Sequence, residues 1–198
     1  MAMQYDVWSV KIRSSTNFYV TSVTPSGSGA LTLANTTPGI NGYGYKVTVR
    51  AASTDESGVN FTITGTTVGG VVVTEVIAGP DGSGGAATTS TTNYFASVSS
   101  ITTSAGTTGA ITVGYSGNLA LPMTRVKGLY YLASGSAGSI IVTRNSDSQI
   151  LLEIDTPALA TQVNSLYMAA EGIRTTYQTN DFATVAATNV TATTLICG

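Results

Sequence analysis

The sequence predicts an all-β fold, arranged as two β-sandwich domains of jelly-roll or immunoglobulin-like type in tandem. Three observations lead there. Apolar and polar residues alternate at a period of two in many short segments, the period of a strand with one covered face. Clusters of Gly, Ser, Thr and Asn separate these segments at short intervals. The 198 residues include 34 Thr and 22 Gly. Thr is stiff at χ1 and suits a pleated surface, and each Gly weakens a helix by about 1 kcal/mol relative to Ala.

Trp8, Val10 and Ile12 share one face of an early strand. Val47 and Val49 are expected inside, with Lys46, Thr48 and Arg50 outside; Phe61 and Ile63 repeat the pattern between Asn60, Thr62 and Thr64. Residues 71–77 (VVVTEVI) are apolar on both faces, as in a strand covered on two sides. Gly65–Gly70 (GTTVGG) reads as a hairpin turn and Gly79–Gly85 (GPDGSGG) as a long flexible hairpin connection. Ile111, Val113 and Tyr115 form another one-sided set.

A boundary is expected near Leu119–Thr124, where Pro122 suits a linker. It divides an N-terminal sandwich with its N-terminal arm (1–120) from a C-terminal sandwich (121–198). Beyond it, 126–133, 139–144 and 149–155 read as more aliphatic and aromatic strands, with Tyr130 and Tyr131 on opposite faces. Over Pro157–Glu171, Leu159, Val163, Leu166 and Ala170 have helical spacing, and Pro157 after Thr156 would suit a helix start. Residues 190–196 close the chain as a strand.

Charged residues make up 9% of the chain, against a usual value of about 25%. Ser and Thr together supply 55 of 198 residues, so the water-facing surface is largely hydroxyl and neutral. Such a surface provides no electrostatic steering and little repulsion between copies. The eight cations (Lys11, Arg13, Lys46, Arg50, Arg125, Lys127, Arg144 and Arg174) are scattered. A nucleic-acid partner, which needs clustered cations to displace counterions, is not expected. No membrane partner is expected either, because no run of about 18 apolar residues occurs. Met1–Val10 lacks a basic region followed by an apolar run, so no secretory signal is predicted. The single cysteine, Cys197, excludes an internal disulfide framework and reads as a buried small hydrophobe.

The chain has no histidine, which removes histidine-based acid–base catalysis and the common zinc ligand sets. Glu153 and Asp155, two residues apart on one strand face and therefore roughly 7 Å apart, are the best carboxylate pair for a glycosidase or a cation. A solvated strand face explains them more simply. The expectation is therefore no catalytic residues, no cofactor and no metal. Tyr43, Tyr45 and Trp8 are the candidate partner contacts, exposed aromatics being suited to subunit contacts or sugar stacking.

The segments VTVRAAS, VNFTITGT, VVVTEVIAGPDGSG, FASVSSITTS and GAITVGYSG, within Tyr45–Gly117, resemble β-domains of tailed-bacteriophage structural proteins. The later segments GLYYLASGSAGSIIVTR, LLEIDTP and EGIRTTYQ resemble such proteins too, and together these stretches cover about three quarters of the chain. Where similar chains carry an acidic residue after Ile-Thr-Gly, this one has Thr66 and Thr67, so no metal is expected in that turn. In similar chains the region after Asp-Thr-Pro is extended, which selects loop and strand over helix for Pro157–Ala170.

The resemblance implies a non-enzymatic virion protein assembled in the host cytoplasm. Within that class the first expectation is a capsid decoration or cement protein. It would form homo-oligomers, trimers among them, and contact the major capsid protein. A head–tail junction, nozzle or tail component touching portal or tail proteins is the alternative, and a host-glycan-binding fibre or adhesin module the second alternative.

Overall fold

The computed structural model describes residues 8–12, 14–38, 43–122, 125–158, 163–167, 172–174 and 182–197. Among them every regular element is a strand. In chain order these are β1 (Trp8–Ile12), β2 (Ser15–Val23), β3 (Gly29–Ala30), β4 (Gly44–Ala51), β5 (Asn60–Thr67), β6 (Val72–Ala78), β7 (Ala87–Thr103) and β8 (Ile111–Leu121). They continue with β9 (Arg125–Ala133), β10 (Gly138–Arg144), β11 (Ile150–Thr156), β12 (Val163–Tyr167), β13 (Ile173–Arg174), β14 (Ala183–Thr188) and β15 (Val190–Cys197). The protein is all-β, as its period-two pattern predicts.

The chain forms two compact units, residues 14–116 and residues 1–13 with 117–198. The division falls inside β8, between Ser116 and Gly117, and not in a linker at Leu119–Thr124. Leu119–Leu121 are fully buried strand residues. The first thirteen residues go with the C-terminal residues instead of forming an arm of the N-terminal domain. The reason is pairing: β1 lies antiparallel on β15, from Trp8 opposite Cys197 to Ile12 opposite Thr193.

In the unit of residues 14–116 the strand order is β8–β4–β7–β5–β6, with β2 also on β8 and β3 on β7. Val47, Val49, Phe61, Ile63, Phe95, Val98, Ile101, Ile111 and Val113 are buried. Burying each such side chain contributes roughly 1.5–3 kcal/mol. Thr48, expected on the water side, is buried, whereas Lys46 and Arg50 at the same parity are half-buried.

β7 changes partner at Phe95, which stands opposite Tyr45 of β4 and Thr67 of β5. Lys46 pairs with Tyr94 and Thr48 with Ser90, so Thr91–Asn93 face Val47 alone. This bulge is held by side chains. The Val47 N–H donates to Thr91 Oγ1 at 2.9 Å, and that hydroxyl donates to Asn93 O at 2.9 Å. Glu75 of β6 accepts from the Thr92 N–H (2.6 Å), the Asn93 N–H (3.0 Å) and Asn93 Nδ2 (2.9 Å). Thr91→Val keeps the shape of this buried residue but orphans the Val47 N–H. The expected cost is about 1–3 kcal/mol, with faster hydrogen exchange at Val47 than in the parent. Unchanged exchange there would show that the bulge does not need the hydroxyl.

The segment 79–85 is neither free nor a hairpin connection. β5 stands between β6 and the second half of β7, so the segment joins strands that are not sheet neighbours. Gly79, Pro80 and Gly82 are buried. Glu56 N–H donates to Pro80 O (3.0 Å), Gly82 N–H to Thr54 O (3.0 Å) and Gly79 N–H to Val59 O (2.8 Å). By contrast, the β5–β6 connection is a tight turn: Gly70, at φ +78°, donates its N–H to Thr67 O at 2.9 Å.

The second unit is β-sandwich-like. One sheet runs β11–β10–β14 onto the Leu119–Leu121 end of β8, and the other runs β1–β15–β9–β12 with β13 also on β9. Ile140, Val142, Ala183 and Val185 from the first sheet, and Val126, Leu129, Leu195 and Cys197 from the second, are buried. Cys197 is thus a core residue with a free thiol. Tyr131 is buried while Tyr130 is half-buried. In the segment with helical spacing, 163–167 is the strand β12, paired with β9 from Val163–Leu132 to Tyr167–Gly128. Residues 159–162 and 168–171 lie outside the described residues.

Candidate functional site

Carboxylates are the chain's main chemical resource, and the structure separates those used internally from those facing water. Glu56 is 1% exposed. Its Oε2 accepts the Thr108 N–H at 2.9 Å and its Oε1 the Gly109 N–H at 2.8 Å. Burial, the largest single influence, pushes this carboxyl up. The bonds from Thr108, Thr54 and Gly109 together outweigh it and hold the group below the ordinary value of 4.5. Glu75 behaves alike: burial raises it, but the bonds from Thr92 and Asn93 leave it lowered. Each carboxylate fixes backbone, Glu56 at a cluster of three loops and Glu75 at the β7 bulge.

Asp55 and Asp81 form an isolated antiparallel bridge, and each accepts a local N–H, from Ser57 at 2.9 Å and Ser83 at 3.0 Å. The hydroxyl of Ser83 adds a second bond to Asp81, and these bonds to Ser83 lower its pKa. These are turns in which aspartate bonds its own backbone, as expected of Asp in polar turns. Arg144 and Asp147 pair at 2.9 Å at the start of the β10–β11 turn.

Glu153 and Asp155 are exposed on β11, a strand at the end of its sheet. Across the ladder they face Ile141 and Ser139. Among the described residues no group of three potential metal ligands converges. Both carboxylates lie on an exposed face of that strand.

The aromatic candidates fall elsewhere than expected. Tyr43 and Tyr45 are 2% and 4% exposed. They share the inward parity of Val47 and Val49, and the Tyr45 ring lies 4.7 Å from that of Tyr115. Phe18 joins this cluster, 5.2 Å from Tyr115 and from Tyr19. Tyr43 and Tyr45 are core residues of the chain itself, and the cue they gave for sugar stacking is withdrawn. Trp8 pairs through its backbone with Cys197 in β1.

A groove of about 540 Å³ runs along residues 20–34 and Thr103. Its lining combines Val20, Val23, Pro25 and Leu31 with Ser and Thr hydroxyls and carries no charged side chain. Ser22, Ser26 and Ser28 are among the hydroxyl residues of this lining.

What the sequence missed is the placement of exposed apolar residues. Val71, Val72 and Val76 are 58%, 70% and 57% exposed, although residues 71–77 read as covered on both faces. The correction follows from strand order, since β6 ends its sheet and only the parity of Val73, Glu75 and Ile77 turns inward. Ile150 on β11 and Val163 and Leu166 on β12 are the other large exposed apolar residues among those described. All lie on or beside a strand that ends a sheet. Comparison with protein-family models, with curated proteins and with solved structures finds no match to this chain.

Proposed function

We propose that this chain is a non-enzymatic structural subunit of a tailed-bacteriophage particle, and within that class a capsid decoration protein. The observation that carries the reading is the coincidence of exposed apolar side chains with sheet-terminal strands, on a chain with 9% charged residues. Such strands are the sites at which β-proteins join other chains unless charge or proline blocks them. β6 carries one charge, Glu75, which is bonded inward. With little net charge to keep copies apart, contact area does the work in place of chemistry. The partners on this reading are further copies of the chain, trimers among them, and the major capsid protein.

The test is the chain's position and copy number in an electron-microscopy map of its native particle. Many copies spread over the head shell are the expected result. A single ring at the vertex would move the chain to the head–tail junction, and its absence from the particle would overturn the reading.

A further inference from the structure

Glu75 is the only ionisable residue of β6 and stands opposite Ile63 in the ladder with β5. Its carboxylate nevertheless bonds β7, and in the half of β7 that belongs to β4. Thr92 and Asn93, its partners, lie between Ser90 and Tyr94, which pair with Thr48 and Lys46. The contact therefore fastens the last strand of the β5–β6 ladder to the bulge of the β4–β7 ladder. The other ties of β6 are its pairing with β5, from Asn60–Ala78 to Thr66–Val72, and the Thr89 hydroxyl, which donates to Ala78 O at 2.9 Å.

All three groups aimed at Glu75 are donors. Oε1 takes the Thr92 N–H at 2.6 Å, and Oε2 takes the Asn93 N–H at 3.0 Å and Asn93 Nδ2 at 2.9 Å. An ionised carboxylate only accepts, so it satisfies all of them; a protonated one turns an O–H toward donors and loses acceptor sites. Access separates Glu75 from Glu56. Glu56 is 1% exposed and must be uncovered before a proton arrives. Glu75 is half-buried beside exposed Thr92 and Asn93, so water reaches it in the folded chain.

We propose that Glu75 is an acid-released latch: its carboxylate fastens β6 to the β7 bulge, and taking up a proton frees the bulge and loosens β6 without unfolding the core behind them. Such local opening is a property of strands held by few contacts, and β6 ends its sheet. The latch does not depend on what the chain assembles with.

The neighbouring charges leave this assignment to the hydrogen bonds. β5 carries no ionisable side chain, β7 carries Tyr94 alone, and β4 carries Tyr45, Lys46 and Arg50. Tyr45 packs on Tyr115 in the core, and Lys46 Nζ lies 5.4 Å from the centre of the Tyr94 ring. Asp81, in the loop after β6, is bonded to Ser83. Burial raises the Glu75 carboxyl, and the bonds from Thr92 and Asn93 outweigh it and leave the group below 4.5. A carboxyl lowered on folding is ionised above that ordinary value, so the latch is closed there and opens as pH falls through the lower folded value.

The experiment is residue-resolved amide hydrogen exchange of the full chain from about pH 7 to about pH 3, corrected for the intrinsic pH dependence of exchange. Protection at Thr92 and Asn93 is expected to fall about tenfold on acidification, the effect of losing one net hydrogen bond. Val49 and Val113, in the core, should keep theirs over the same range. Glu75→Gln should show the low protection at both ends and no step between them. Asn93→Ala removes one donor from the carboxylate and should move the step to higher pH, which keeps the test open if the glutamine variant folds poorly. Glu56→Gln should leave the step where it is. Constant protection at Thr92 and Asn93 in the parent, or a parent-like step in Glu75→Gln or an unmoved one in Asn93→Ala, would overturn the latch. So would an equal loss at Val49 and Val113, which would mean that acid unfolds the whole unit at once.

Discussion

Glu56→Ala is expected to destabilise the unit of residues 14–116 by about 3 kcal/mol. The substitution removes the acceptor of two backbone donors, Thr108 and Gly109, whose bonds to a charged group are worth about 1.5–3 kcal/mol each before partial rehydration. It also unties the loop after β7 from the loop between β4 and β5, to which Pro80 and Gly82 are bonded in turn. Glu56→Gln keeps one acceptor oxygen and turns an amide toward the other donor, so it should fall between parent and alanine. The sign of the pH dependence follows from the lowered carboxyl. A group whose folded pKa lies below its unfolded value stabilises above the ordinary value of 4.5 and loses that contribution as pH falls through the folded value. Glu75, also lowered, acts in the same direction. Urea unfolding at pH 7 and below pH 4.5 should therefore show a shallower acid dependence in Glu56→Gln than in the parent. Circular dichroism is the appropriate signal, because the single tryptophan, Trp8, belongs to the other unit. A Glu56→Ala chain with the parent's urea midpoint at pH 7 would show that the loops hold without the carboxylate.

The strands were legible because their chemistry is local. Val47, Val49, Phe61 and Ile63 announce a covered face two residues at a time, and each is buried. What the sequence does not encode locally is which strand ends a sheet. Residues 71–77 look like an interior strand because apolar residues occupy both parities, yet one parity is exposed at the end of a sheet. The pairing of β1 with β15 is invisible for the same reason: alternation says that a strand exists, not where its partner lies. Tyr43 and Tyr45 were misplaced by their glycine-rich setting, though their parity with Val47 already pointed inward. Of the two anchoring carboxylates, Glu75 carried a readable signal, a charge at the inward parity between Val73 and Ile77. Glu56 carried none, since Asp55-Glu56-Ser57 reads as an ordinary polar turn and its partners lie more than fifty residues ahead.

Two glycines three residues apart in β8 provide the second large expected effect, and each is the other's control. A Cβ added at Gly114 would overlap the backbone of Ser15, with the Thr16 carbonyl carbon only 2.6 Å away. At Gly117 it would meet nothing within 4 Å. The difference comes from β2. Ser15 pairs with Tyr115 and Val20 with Val113, so Thr16–Tyr19 stand opposite Gly114 alone and the chain lies directly against it. A backbone atom cannot rotate away as a side chain can, so Gly114→Ala must push β2 off β8. Tyr19, fully buried, and the Phe18 ring beside it belong to the displaced segment. The expected loss is about 3 kcal/mol or more, at the upper end of the range for overpacking. Gly117→Ala should be neutral or stabilise by up to about 1 kcal/mol, because alanine restricts the unfolded chain more than glycine does. The comparison separates steric approach from general strand preference, since a β-propensity effect would move both variants in the same direction by similar amounts. Urea midpoints for the two variants decide it. Equal stability would mean that β2 does not lie against Gly114 in solution.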